Sequence, residues 1–165
     1  MKAAALVATL LASPVAAEGF AVSDLQTLSV DLSALSGGTF LAEATSPQRL
    51  TIMCTDCAAF QAIDVRIGRQ DDGTEARLRA GQTTIGDVRA MCQARDPSCT
   101  LEGIEQGRAI GWLTTYDGAV TGSTALLFLD GDLLTIRSIA DDVTTARRNV
   151  DGVRAALVPV IVGSE

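Results

Sequence analysis

Residues 123–159 read STALLFLDGDLLTIRSIADDVTTARRNVDGVRAALVP, and this stretch decides the fold. Ala125–Leu129 and Leu133–Ile139 are two apolar runs joined by Asp130-Gly131. Asp-Gly supplies the positive φ angles that a two-residue hairpin turn requires, so the two runs predict a β-hairpin. After Ile139 the apolar period lengthens from two to about 3.5. Val143, Ala146, Val150, Val153 and Leu157 step by 3, 4, 3 and 4, which places all five on one helix stripe. A hairpin with one apolar face, followed by a helix with one apolar stripe, predicts that the helix covers the sheet. Asp151-Gly152 cuts across this reading, because the pair favours a turn and Gly inside a helix costs ~1 kcal/mol relative to Ala. The stripe stays in register through Gly152, and a continuous helix over 143–158 is expected.

Working outward, Phe40–Ala44 and Arg49–Cys54 read as short strands around Ser46-Pro47. Ile63, Val65 and Ile67 alternate with Asp64 and Arg66, a half-buried strand pattern. Asp72-Gly73 then predicts a turn, and the alternation of Glu75, Arg77 and Arg79 with Ala76, Leu78 and Ala80 predicts a return strand. Thr84 and Asp87 are placed to cap a helix over 84–95, which Pro97 ends. Cys99–Tyr116 suggests one long strand or two short ones, interrupted near Gln106-Gly107, with Asp117-Gly118 as the next turn. Leu25, Leu28, Leu32 and Leu35 fit a helix capped by Ser23 and Gln26, while Leu28, Val30 and Leu32 alternate as in a strand, so 23–35 stays open between the two.

These elements predict an α+β fold: an antiparallel sheet of about five to seven strands, packed against the C-terminal helix (143–158) and the shorter helix (84–95), and stapled by disulfides. The expected organisation is a cleaved segment at 1–17, an N-terminal segment at 18–48 packing on the domain, and a single domain at 49–165. Antiparallel strands closed by a C-terminal helix are similar, in architecture alone, to the α-β-α sandwiches of photosystem-accessory PsbP-type domains; no motif is shared and the likeness transfers no residue.

The first seventeen residues carry the order of an export signal. Lys2 is followed by the apolar run Ala3–Ala12, a break at Ser13-Pro14, and the small residues Val15-Ala16-Ala17, so cleavage is expected after Ala17. The chain is therefore expected to be periplasmic or secreted. Cleavage would leave 148 residues, which suits one domain, with no further run long enough to insert in a membrane. The formal net charge is −7. An acidic domain repels nucleic acid and anionic lipid, so neither is expected as a partner. An unidentified protein or small molecule is the expected partner class.

The chain has no His, and its only Lys is Lys2. A Ser-His-Asp or Cys-His catalytic site, a Schiff-base lysine and a His-ligated metal site are thereby excluded from the rest of the chain. The carboxylate pairs Asp71-Asp72, Asp130/Asp132 and Asp141-Asp142 match no calcium loop and sit where turns and helix N-termini want Asp. No cofactor is expected. The four cysteines, Cys54, Cys57, Cys92 and Cys99, allow three pairings. Short loops close at least entropic cost, which favours Cys54–Cys57 with Cys92–Cys99. Cys54-Thr55-Asp56-Cys57 is also a C-x-x-C motif, and such pairs can exchange thiol for disulfide or hold a metal. Here Asp56 would raise the thiol pKa by like-charge repulsion, and no helix is expected to begin at Cys57.

Two surfaces remain as candidates for recognition. Arg66, Arg69, Arg77 and Arg79 would share a sheet face if both predicted strands form, either as an anion site or as a solvated face paired with Asp64 and Glu75. Trp112 and Tyr116 share one strand face, as a ligand platform or as core and core-rim residues. The expected function is thus an exported, disulfide-stabilised accessory or binding module without catalytic activity; the alternative is a thiol-disulfide or thiol-metal protein centred on Cys54 and Cys57.

Overall fold

The structure, a computed structural model, describes residues 19–163. The expected cleaved segment lies outside the described residues. A single 3-10 turn at Leu25–Thr27 is followed by β1 (Phe40–Ser46), β2 (Arg49–Cys54), β3 (Ala62–Arg69), α1 (Thr74–Arg79), α2 (Ile85–Arg95), β4 (Thr100–Gln106), β5 (Ala109–Asp117), β6 (Thr121–Leu129), β7 (Asp132–Ile139) and α3 (Val143–Val162). The seven strands form one antiparallel sheet in the order β1-β2-β3-β7-β6-β5-β4. β1, from the expected N-terminal segment, is one edge of it and β4 the other.

The β6–β7 hairpin forms around Asp130 and Gly131, whose φ angles of 52° and 83° are both left-handed. Its register runs from Leu129↔Asp132 to Gly122↔Ile139 and fixes which side chains face each way. Val65, Ile136, Ala125 and Leu113 lie at one level across four strands and are buried on the inner face. Ala146, Val150, Val153, Leu157 and Ile161 of α3 are buried with them, so the helix covers the inner face as the stripe requires. Fully burying one such side chain is worth ~1.5–3 kcal/mol, which makes this layer the main source of stability. Asn149 is the polar residue that α3 buries, with no exposure. Its Nδ2 donates to Gln61 Oε1 at 3.0 Å and to Ser138 Oγ at 3.4 Å.

Three expectations are corrected. Glu75–Ala80 is not a return strand; Thr74–Arg79 is helical. The run has no β-branched residue after Thr74 and is built from good helix formers. Asp72 Oδ1 accepts the Thr74 N–H at 2.9 Å to start it, and Glu75 pairs with Arg79 one turn on at 2.7 Å. β3 takes β7 as its partner instead. Residues 23–35 form neither a helix nor a strand beyond the turn at Leu25–Thr27, which Asp24 rather than Ser23 caps. α3 ends at Val162, four residues beyond the expected end, although Pro159 lies inside it. Pro removes the bond to the Ala155 carbonyl. Ala155 is exposed, where water can replace that bond, while Leu157, Val158 and Ile161 beyond it are buried. Gly152 also finds its reason here. A Cβ at Gly152 would lie 3.2 Å from Leu35 Cδ2 and 3.4 Å from the Ala34 carbonyl oxygen, so glycine lets the N-terminal segment rest against α3.

Candidate functional site

The outer face of the sheet is built differently. β5 alternates, with Ala109, Leu113 and Thr115 buried inward and Ile110, Trp112, Thr114 and Tyr116 half-buried on the outer side. Two short helices cover only part of that side. Thr84 and Asp87 cap α2 reciprocally, as their spacing predicts. Its first residue, Ile85, sits so close to Gly103 of β4 that a Cβ there would lie 3.1 Å from Ile85 Cγ1. Arg89 Nε donates to the Leu101 carbonyl at 2.8 Å, and the Cys92–Cys99 disulfide ties the far end of α2 to the start of β4.

α1 is anchored by one carboxylate. Glu75, 9 % exposed, accepts the backbone N–H groups of Asp130 at 3.0 Å and Gly131 at 2.8 Å. The β6–β7 turn is therefore held by a side chain from α1. Burial pushes the Glu75 carboxyl up, but the Gly131 N–H, the Arg79 guanidinium and the Asp130 N–H together outweigh it and hold it below its ordinary value.

Between α1, α2 and β5 lies a groove of about 470 Å³. Thr74, Arg77 and Thr83 line it from α1 and the following loop, and Val88, Met91, Cys92 and Arg95 from α2. Leu101, Trp112, Thr114 and Tyr116 line it from the sheet, and Asp96 and Cys99 from the α2–β4 connection. The Trp112 ring is tilted against Phe128, with centroids 5.2 Å apart, so the indole is held from behind while Met91 across the groove stays 56 % exposed. Tyr116 is fixed by a glycine opposite it. A Cβ at Gly122 would lie 2.5 Å from the Tyr116 hydroxyl oxygen, so only glycine admits the ring in this place. That hydroxyl accepts Arg137 Nε at 3.0 Å, and the guanidinium carbon stands 5.9 Å from the ring centroid.

From Tyr116 the same register level continues across the open sheet through Gly122, Ile139, Ala62, Met53 and Leu41. Met53 is 38 % and Leu41 62 % exposed. The row beyond the groove thus ends in two exposed apolar side chains on β2 and β1.

No protein-family model, curated protein or solved structure matches the chain. The chemistry of the site rests on its own residues.

Of the residues singled out in sequence, the fold brings Arg77, Trp112 and Tyr116 together at the groove. It separates the other arginines. Arg66 pairs with Asp64, Arg69 with Asp132 and Asp71, and Arg79 with Glu75 and the Arg108 carbonyl. The common face of four arginines required the strand that became α1. Val88, Met91 and Arg95 were not among the sequence candidates. In sequence the helix offers an apolar stripe of Ile85, Val88 and Cys92, yet no residue of α2 is buried.

The cysteines pair as Cys54–Cys57 and Cys92–Cys99. Cys54-Thr55-Asp56-Cys57 ends β2 and runs into an irregular loop, with no helix beginning at Cys57. Asp56 Oδ1 lies 3.9 Å from Cys54 Sγ. The N–H and hydroxyl of Thr39 hold the Asp56 carboxyl below its usual range, so it remains an anion beside the sulfur. A neighbouring anion disfavours the thiolate on which exchange depends. The bridge lies in the β2–β3 connection that ends at Gln61, whose carbonyl accepts the Cys54 N–H at 3.1 Å and whose side chain meets Asn149 in the core.

Proposed function

We propose that the chain is an exported, disulfide-stabilised accessory module that binds a small, largely apolar ligand in the groove between α1, α2 and β5, without performing chemistry on it. The observation that carries this reading is the groove itself. It falls in the ~300–1,000 Å³ range of small-molecule sites, and it is lined by the chain's single Trp and single Tyr together with Val88 and Met91. Binding rather than catalysis is supported by the residue inventory, which offers no His and no Lys beyond Lys2. Export is supported by the order of residues 2–17 and by cysteines that pair completely, as an oxidising compartment allows. Treating Cys54–Cys57 as a staple is supported by the anionic Asp56 and the absence of a following helix.

Trp112 makes the test direct, because every change in tryptophan emission reports from the groove wall. A library of apolar and aromatic small molecules is expected to contain compounds that shift Trp112 emission and raise the melting temperature together, and Met91→Asp should abolish both responses. A library that moves neither would overturn the reading. A Cys54–Cys57 pair that reduces reversibly near about −200 mV, in the range of thiol oxidoreductases, would replace it with a redox function.

A further inference from the structure

We infer that the ligand of the groove is an anion with an apolar body, its charge recognised by arginines that the fold leaves without carboxylate partners. This deepens the proposed function and rests on it.

The chain is acidic, so an arginine has many carboxylates to choose from. Among the described residues, Arg49, Arg66, Arg69, Arg79, Arg108, Arg147 and Arg154 each hold an ion pair. Arg77, Arg89, Arg95, Arg137 and Arg148 hold none with another described residue. Two of these five line the groove, and two more bond to residues that line it. Arg77 and Arg95 line it, Arg89 is bonded to the carbonyl of the lining residue Leu101, and Arg137 holds the lining Tyr116. Only Arg148, on the far helix, lies elsewhere.

Arg77 is also held in place by neutral groups. Its Nη1 donates to the Asp72 carbonyl at 2.8 Å and its Nη2 to Thr74 Oγ1 at 3.1 Å, so the guanidinium is oriented while its charge stays uncompensated by direct contact. The Asp72 carboxylate accepts from the Thr74 N–H and Gln70 Nε2 and lies near enough to feel the Arg77 charge, but it forms no ion pair with it. The one carboxylate lining the groove, Asp96, forms no ion pair with another described residue. Its Oδ1 accepts both the N–H and the hydroxyl of Ser98. Two arginines against one carboxylate at an apolar groove match an amphipathic anion in charge. A neutral ligand would leave that charge unanswered, and a cation would oppose it.

The test is a titration of the purified, disulfide-intact protein at pH 7 with decanoate, 1-decanol and decyltrimethylammonium, below their micelle-forming concentrations and followed by Trp112 emission. Decanoate should bind about tenfold more tightly than decanol, as a hydrogen bond to a charged group implies, and the cation most weakly. Raising the salt should narrow the difference. The double variant Arg77→Gln/Arg95→Gln should bring decanoate down to the affinity of decanol. Equal affinities for decanoate and decanol in the native protein, or a preference that survives in the double variant, would overturn the anion inference and leave the groove as an apolar site. A Trp112 signal unmoved by all three probes would overturn the groove reading and the inference with it.

Discussion

The inner and outer faces of this sheet carry their apolar side chains in opposite ways. On the inner face one 20-residue helix lies across four strands, and its stripe residues have almost no exposure. On the outer face a 6-residue and an 11-residue helix cover only one side of the sheet, and neither buries an apolar side chain. These two helices are held by discrete links: Glu75 to the β6–β7 turn, Arg89 to Leu101, and the Cys92–Cys99 bridge. The difference teaches a division of labour. One face gains stability by exclusion of water, and the other keeps side chains in place without filling the space between them, which is the condition for a groove.

That comparison can be broken at either face. The largest effect should come from the inner one. Leu157→Ala should cost ~2–5 kcal/mol in chemical denaturation, as buried leucines generally do, whereas Trp112→Ala on the outer face should cost clearly less and remove ligand binding. Equal losses would mean that the groove wall is core. Removing the bridge with Cys92→Ala/Cys99→Ala should cost ~2–3 kcal/mol by the chain-entropy account. It should also weaken groove ligands, because α2 loses its tie to β4. Cys54→Ala/Cys57→Ala should lower stability without changing ligand affinity, and a loss of binding there would move the site.

A smaller effect is expected from Glu75→Gln, which keeps the shape of the side chain but weakens charge-assisted bonds worth ~1.5–3 kcal/mol each at most. Its pH dependence has a definite sign. A carboxyl held below its ordinary value of 4.5 contributes stability that is fully present above that value and is lost as pH falls through the folded-state pKa. The acid limb of the stability profile should therefore be shallower in Glu75→Gln than in the native protein, and parallel limbs would count against the clamp. The smallest effect is expected at Gly152. Ala gains ~1 kcal/mol of helix propensity there, but its Cβ crowds Leu35 and the Ala34 carbonyl, so Gly152→Ala should leave the melting temperature nearly unchanged. A full gain would show that the N-terminal segment yields easily.

The inner face was legible in the sequence because its signals agree at every level. The Asp130-Gly131 turn, the change of period after Ile139 and the 3-4 stripe all specify the same packing. Short-loop closure likewise pointed to both disulfides. The outer face was only partly legible. Six residues of alternating charge and apolarity at 74–79 satisfy a period of two as well as a helix, and what decides between them is tertiary: β3 pairs with β7, and Glu75 finds the turn at Asp130-Gly131, 55 residues away. With that helix misread, Arg77 fell among three arginines it does not join. Trp112 and Tyr116 were visible as a pair on one strand face, but Met91 and Arg95 were not, since a helix stripe at the right spacing does not reveal that its partner surface stops short of it.

The central claim is that ligand recognition belongs to the grooved outer face and folding to the sealed inner one. Backbone amide chemical shifts of the isotope-labelled protein, recorded with and without decanoate, test it most directly. The account predicts shifts concentrated in Thr74–Arg95 and in β5 from Trp112 to Tyr116, together with the Trp112 indole N–H, and α3 and the Cys54–Cys57 loop unmoved. Shifts centred on α3 or on residues 54–61, with the Trp112 indole unchanged, would contradict it.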